Sequence, residues 1–453
     1  MDHPHFIPVV KKNRIMVSLT ISIFLFIVFF FAKPYDWFSS IQDLSVASDA
    51  VEMAKIVEQG NIKRQIAFCM LALFGVLSLM MTGLKGLRVN GILGWILILF
   101  LGWAICSIYW ADNPIIALRR VTIILCISLG AFAISIQFST REIVTFAFVT
   151  CSLTLLSGIV SEIILKSFKP FIIEYRFAGV LPWNSMGRHC AVLFLSAQLF
   201  AQKKGGGRWI FRIVQMVGLT FLILTKSRME FFGAILASFI FWYLITPRFR
   251  FAAVISFLFF LFSIFSLLLL LFFFDPIAHY WKSIAFLGRD TDALETLTGR
   301  IPLWIECIKY IAERPFLGYG YNAFWTPSHL YSIADAIGGV PGHAHSSLLE
   351  MALSVGIIGT CTFVLIVALV LVRLFKLFKR SQKIDYAFFA ILVIYFSWTS
   401  LLNCPIFSND ILAFLIISIF CKVGFMKNLP YESNALKHDL FAGSRLKSSS
   451  TIN

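Results

Sequence analysis

SLLEMALSVGIIGTCTFVLIVALVLV, residues 347–372, is a run of 26 residues in which Glu350 is the only charged side chain. Coiled as a helix it would be about 39 Å long at a rise of 1.5 Å per residue. That exceeds the ~30 Å of hydrocarbon in a bilayer, so the run predicts a membrane-crossing helix. Further apolar runs of this kind recur on both sides of it, with short polar breaks between them. They lie at 15–32, 65–82, 91–110, 121–137, 143–164, 186–201, 209–225, 231–246, 251–274, 386–402 and 411–423. The expectation is therefore an all-α, polytopic membrane protein with about twelve transmembrane helices, the chain being 59% hydrophobic and 14% charged. A mean hydropathy of +0.85 excludes a set of soluble domains.

The first run follows Lys11, Lys12 and Arg14 but ends without a small-residue cleavage site, which predicts an uncleaved anchor. A net charge of +16 would suggest a nucleic-acid binder in a soluble protein; here its distribution gives another reading. With the N-terminus inside, alternating spans put 22 basic and 5 acidic residues in the inner segments, +17 in all, and leave −1 outside. The excess is then the positive-inside signal of topology, both termini are cytoplasmic, and no nucleic acid is called for. Nine cysteines, mostly within apolar runs and with no C-x-x-C, suggest neither a disulfide framework nor a zinc site.

This divides the chain into nine spans over 1–274, one large outer loop at 275–346, three spans over 347–425 and a tail at 426–453. A loop of some seventy residues between packed helices is expected to have a structure of its own. Within it, Leu303, Trp304, Cys307, Ile308 and Ile311 recur at helical spacing over 299–313, an amphipathic helix that could lie on the membrane surface anchored by Trp304. Gly318-Tyr-Gly320 has neither the preceding strand nor the third glycine of a nucleotide loop, and reads as a sharp turn.

The loop ends in Gly342-His-Ala-His-Ser-Ser-Leu-Leu-Glu350. Ser347 and Glu350 have capping-box spacing, placing a helix start at Ser347 and His345 just before it. The positive end of that helix disfavours an imidazolium and keeps His345 available as a neutral base. The plain alternative is a histidine that only caps and packs. His343, His345 and His329 could in principle share a metal, although no carboxylate stands at a supporting spacing.

The arginines expected at the outer rim include Arg119, Arg120, Arg176, Arg188, Arg228, Arg300 and Arg314. Arg228 lies in a second S-x-x-E sequence, Ser227 to Glu230, where a cation opposes the helix dipole and Glu230 is a natural partner. Arg176, Arg188, Arg228 and Arg300 together suit a polyanion such as pyrophosphate; any single one could instead reach up to lipid headgroups. Charged groups are scarce at span centres, unlike an ion-coupled carrier.

Thr298-Gly-Arg-Ile-Pro-Leu-Trp304, Arg314-Pro-Phe-Leu-Gly-Tyr-Gly320 and the segment from His343 to Gly359, in this order and around one long loop, resemble the O-antigen ligase and polysaccharide polymerase superfamily. Trp110-Ala-Asp-Asn-Pro114, Arg176-Phe-Ala-Gly179 and Ser227-Arg228 agree with it, and the domain is expected at about 210–370. The resemblance implies a membrane-embedded glycosyltransferase fold of the GT-C kind at the periplasmic face of the cell inner membrane. It implies transfer of a glycan from undecaprenyl pyrophosphate to a hydroxyl acceptor with inversion and without metal or cofactor. The acceptor would be the lipid A core in a ligase, or another lipid-linked repeat in a polymerase. By the same resemblance His345 is the base and Arg228, Arg176 and Arg300 hold the pyrophosphate, with Arg188 added on position. His343, Ser346 and Asn184 are candidate acceptor contacts, Ser346 standing where the family has Asn. A polysaccharide or lipid transporter binding the same pyrophosphate is the competing class.

Overall fold

Lipid offers no hydrogen-bond partners to the backbone, so apolar runs cross it as helices that satisfy their own N–H and C=O groups. The computed structural model describes residues 8–32, 61–82, 89–172, 175–202, 207–246 and 293–425. Among them are thirteen α-helices and no strand. The first seven are α1 (Pro8–Phe31), α2 (Ile62–Thr82), α3 (Gly91–Cys106), α4 (Pro114–Gln137), α5 (Thr140–Ile164), α6 (Trp183–Phe200) and α7 (Arg208–Leu224). There follow α8 (Arg228–Ile245), α9 (Ala293–Glu313), α10 (Pro327–Ile337), α11 (Ser347–Ser381), α12 (Ile384–Thr399) and α13 (Ile411–Gly424).

Eleven of the twelve expected spans coincide with these helices. The ninth, at 251–274, lies outside the described residues, as do the tail from 426 and the loop up to 292. By length and composition seven described helices can cross a membrane: α1 to α5, α8 and α11. α12 and α13 are shorter apolar helices, and α6 is the least apolar of the central group. The reason α6 tolerates Arg188, His189 and Gln198 is that every residue from 186 to 200 is buried against protein, with α5, α7 and α8 packed around it. On α2, in contrast, Ile66, Met70, Leu73, Leu77 and Met80 form an exposed apolar face suited to lipid tails.

Polar contacts sort the helix ends onto two sides. At one end, Arg141 Nη1 meets Asp385 Oδ1 at 3.0 Å, joining the starts of α5 and α12. There also Lys422 Nζ donates to the carbonyls of Ser135 and Phe138, and Arg373 Nη1 to that of Asn90. At the opposite end the starts of α6, α8, α11 and α13 meet the end of α12, and over this end lies the loop with α9 and α10.

The loop has a small core of its own, formed by Leu303, Cys307, Tyr319, Phe324, Leu330, Ile333 and Leu353. The amphipathic helix begins at Ala293, before the expected Gly299. Two readings of its face change. Trp304 donates its indole N–H to the Ala344 carbonyl at 2.9 Å, so it holds the loop to the histidine segment rather than to lipid. Ile308, grouped by spacing with Leu303 and Cys307, is instead exposed together with Ile301 and Ile305, while those two are buried. α10 was not expected; Pro327 opens it and Gly338, with φ 68°, closes it.

The Gly318-Tyr-Gly320 turn serves α11. At Gly356 (φ 70°, ψ −176°) the helix kinks. The turn fills the gap, with Ile357 N donating to Pro315 O at 2.7 Å and Tyr319 N to Leu353 O at 2.8 Å. A Cβ on Gly356 would stand 2.0 Å from Phe316 O, so only glycine permits this contact.

Candidate active site

Both expected capping boxes are absent, and where their glutamates go builds the site. Ser347 is the first residue of α11, as expected, but its hydroxyl donates to Asn403 O at 3.0 Å. Glu350 turns inward: Oε2 accepts from the N–H of Ala344 at 2.8 Å and Oε1 from the indole N–H of Trp325 at 2.8 Å. Ala344 is therefore held from both sides, its N–H by Glu350 and its carbonyl by Trp304. At Ser227 the hydroxyl donates to Asn184 Oδ1 at 3.1 Å instead of capping α8. Glu230 accepts from the Tyr395 hydroxyl and, at 3.1 Å, from Asn403 Nδ2, so it is not the partner of Arg228.

The partner of Glu230 is Arg188. Arg188 Nη2 lies 2.9 Å from Asp410 Oδ2, its Nε donates to the same oxygen at 3.0 Å, and its Nη1 lies 3.8 Å from Glu230 Oε1. Asp410 also caps α13, its Oδ1 accepting from the N–H groups of Leu412 and Ala413. This buried ion pair corrects the expectation for Arg188. A guanidinium already bound by two carboxylates has little capacity left for a ligand anion, and its geometry instead locks the starts of α6, α8 and α13 together. Asp410, Tyr395 and Asn403 were not singled out in the sequence, each being more than 150 residues from its partner.

Above this plug sit the two histidines, with ring centroids 4.0 Å apart. His345 has φ 52°, a left-handed backbone unusual for a residue with a Cβ, and held here by the contacts on Ala344. Its Nδ1 is buried and has no hydrogen-bond partner among the described residues. Burial first, then the Arg300 guanidinium, lowers the His345 pKa from 6.5 to about 4. Burial, the His345 ring, Arg188 and Arg300 lower His343 to about 3. Desolvation and arginine charge thus both favour the neutral form of these rings.

Arg300, on α9, lies within electrostatic reach of Arg228, and burial lowers its own pKa ahead of the effect of Arg228. Arg300 forms no ion pair among the described residues. Arg176 lies over the Trp183 ring, 4.1 Å from its centroid, and its Nε donates to Thr225 O at 3.4 Å, three residues before Arg228. The structure thus gathers Arg176, Arg228, Arg300, His343, His345, Ser346 and Asn184 at one end of the bundle. Ser346 is the buried residue before α11. His329 stands apart: its Nε2 faces Asp112 at 3.6 Å and its ring stacks on Phe324. Among the described residues no three His, Cys, Asp or Glu side chains form a metal-binding group.

Residues 213–364 match the family model described as O-Antigen ligase. In that stretch the chain is similar to the O-antigen ligase family. The matched stretch contains Arg228, Arg300, His343, His345 and Ser346, whereas Arg176, Asn184 and Arg188 precede it. The seven helices long and apolar enough to cross a membrane agree with a membrane protein. Among curated proteins none matches the chain.

Proposed function

We propose that the protein is an inner-membrane glycosyltransferase of the ligase type, with about twelve crossings and its active site on the periplasmic side. It would move a glycan from undecaprenyl pyrophosphate to a hydroxyl of the lipid A core, with inversion. The observation that carries this reading is His345: a ring whose buried nitrogen has no hydrogen-bond partner among the described residues, beside an arginine that forms no ion pair among them, with burial and that arginine favouring the neutral form.

In this reading the acceptor O–H gives its proton to His345 as its oxygen attacks the anomeric carbon. The bond from that carbon to the pyrophosphate oxygen breaks, and its electron pair leaves on the pyrophosphate. Arg300, Arg228 and Arg176 take up the growing negative charge, which removes the need for a general acid on so good a leaving group. His343 packs on His345 and would fix its ring, and Ser346 and Asn184 would touch the acceptor. Arg188 acts as a positioning residue through Glu230 and Asp410.

The donor also affects the base. Arg300 disfavours an imidazolium at His345 in the empty site; a bound pyrophosphate dianion would neutralise that effect and make His345 a stronger base only when donor is present. The test is transfer by purified protein from a synthetic undecaprenyl-pyrophosphate glycan. Glycan attached to lipid A core supports a ligase, joining of donor glycans to each other indicates a polymerase, and no transfer to any acceptor points to a transporter.

A further inference from the structure

A carboxylate at the C-terminal end of a helix opposes the helix dipole, and burying it costs more unless donors meet it. Glu162 is such a residue, buried in the last turn of α5. Three donors meet it. Its Oε1 accepts from the N–H of Ala178 at 2.9 Å and from that of Gly179 at 2.7 Å, and its Oε2 accepts from the Tyr175 hydroxyl. All three belong to one short segment, and Arg176 stands inside it. Further contacts seat this segment on its neighbours. Gly179 has φ 60°, and a Cβ on it would stand 2.7 Å from Gly158 Cα on α5. Phe177 N donates to Leu224 O at 2.9 Å, at the end of α7. Tyr175, Phe177 and Ala178 are buried by these contacts, whereas Arg176 between them is only partly so.

The guanidinium itself is held from two other elements. Its Nε donates to Thr225 O and its carbon lies over the Trp183 ring. Trp183 opens α6, and Asn184 beside it accepts from the hydroxyl of Ser227, the residue before Arg228. The position of Arg176 relative to Arg228 is therefore set by a chain of contacts that starts at Glu162. A long side chain loses rotamer freedom when it grips an anion, and one already held loses less.

We infer that Glu162 is a positioning residue for Arg176: from α5 it fixes the backbone that carries the guanidinium to the Trp183 ring and to the side of Arg228. It does for the arginine segment what Glu350 does for the histidine segment, and it acts by reach rather than by charge. Glu162→Gln has the same reach. Its amide oxygen can accept both N–H groups, and its Nε2 can donate to the Tyr175 hydroxyl, which turns to accept. Glu162→Asp keeps the charge and withdraws the carboxylate by one methylene. The consequence for catalysis rests on the transferase reading; the placement of Arg176 does not.

The test uses the full chain in nanodiscs with fluorotryptophan in place of tryptophan. The Trp183 fluorine resonance is assigned by its loss in Trp183→Phe, and Arg176→Gln marks its position without the stacked guanidinium. Glu162→Leu and Glu162→Asp should move the resonance toward that position, and Glu162→Gln should leave it in place. In transfer from a synthetic undecaprenyl-pyrophosphate glycan, Glu162→Leu and Glu162→Asp should lower kcat/KM for donor about tenfold, with Glu162→Gln close to wild type. Adding Arg176→Gln to Glu162→Leu should cost little more than Arg176→Gln alone, because both changes remove the same contact. If Glu162→Leu does not fold, the Asp variant carries the test. A resonance unmoved in the Leu and Asp variants overturns the inference, as does a fully additive loss in the double variant or a loss in Gln with Asp intact. Should the wild type transfer nothing, the transferase reading fails, and the fluorine spectra still decide whether Glu162 positions Arg176.

Discussion

Glu350 Oε2 accepts the N–H of Ala344 at 2.8 Å, so the first turn of α11 holds the residue between His343 and His345. Replacing Glu350 with Gln puts an amide donor against one of two donors, the Ala344 N–H or the Trp325 indole. A buried donor left unsatisfied costs about 1–3 kcal/mol. The expected outcome is a lower kcat with little change in donor KM, and a change in the acid limb of the pH profile; a stability defect alone would leave that limb in place.

The pH dependence carries a sign. His345 acts as a base only when neutral, so activity is lost as pH falls through its folded pKa, which is about 4 in the empty site. The acid limb of kcat/KM for donor should fall near there, and that of kcat, measured with donor bound, should lie at higher pH. Arg300→Gln removes a charge that lowers the His345 pKa, so it should raise the kcat/KM limb while weakening donor binding. Coincident limbs in the wild type would contradict the coupling.

Arg188 is predicted to matter through structure. Arg188→Gln leaves the Asp410 and Glu230 carboxylates buried without their cation, a loss of about 3–5 kcal/mol for a broken buried pair. Thermal melts in detergent should show this as a marked fall in midpoint. Arg188→Met combined with Asp410→Asn should recover part of it, which a direct role in holding ligand would not explain.

At Gly356 the close approach of Phe316 O and the positive φ act together. Gly356→Ala should destabilise by at least about 1–3 kcal/mol, the cost of a strained backbone before any clash is counted. Protease cleavage in the segment around residues 314–320 should accelerate in this variant, because that turn is what fills the kink.

How far these features could be read in the sequence depends on the range of the interaction. Hydrophobic runs gave eleven helices because burial in lipid acts locally on each of them. α6 is less apolar than its neighbours because it carries Arg188 and Gln198, and only its central position explains them. S-x-x-E spacing correctly marked the starts of α8 and α11 yet misassigned both glutamates, since Asn403, Tyr395, Trp325 and Ala344 compete for them from elsewhere in the fold. Asp410 was legible only as the polar residue before an apolar run, which is its capping role; nothing local signals Arg188, 222 residues away. For α10 the Pro327 and Gly338 signals were present in the sequence.

His345 as the base is the central claim, and single-turnover transfer from a synthetic undecaprenyl-pyrophosphate glycan by purified His345→Ala tests it most directly. Loss of a general base predicts a rate about 10²–10⁴-fold below wild type, with donor binding kept. Transfer by the variant at the wild-type rate would contradict the account.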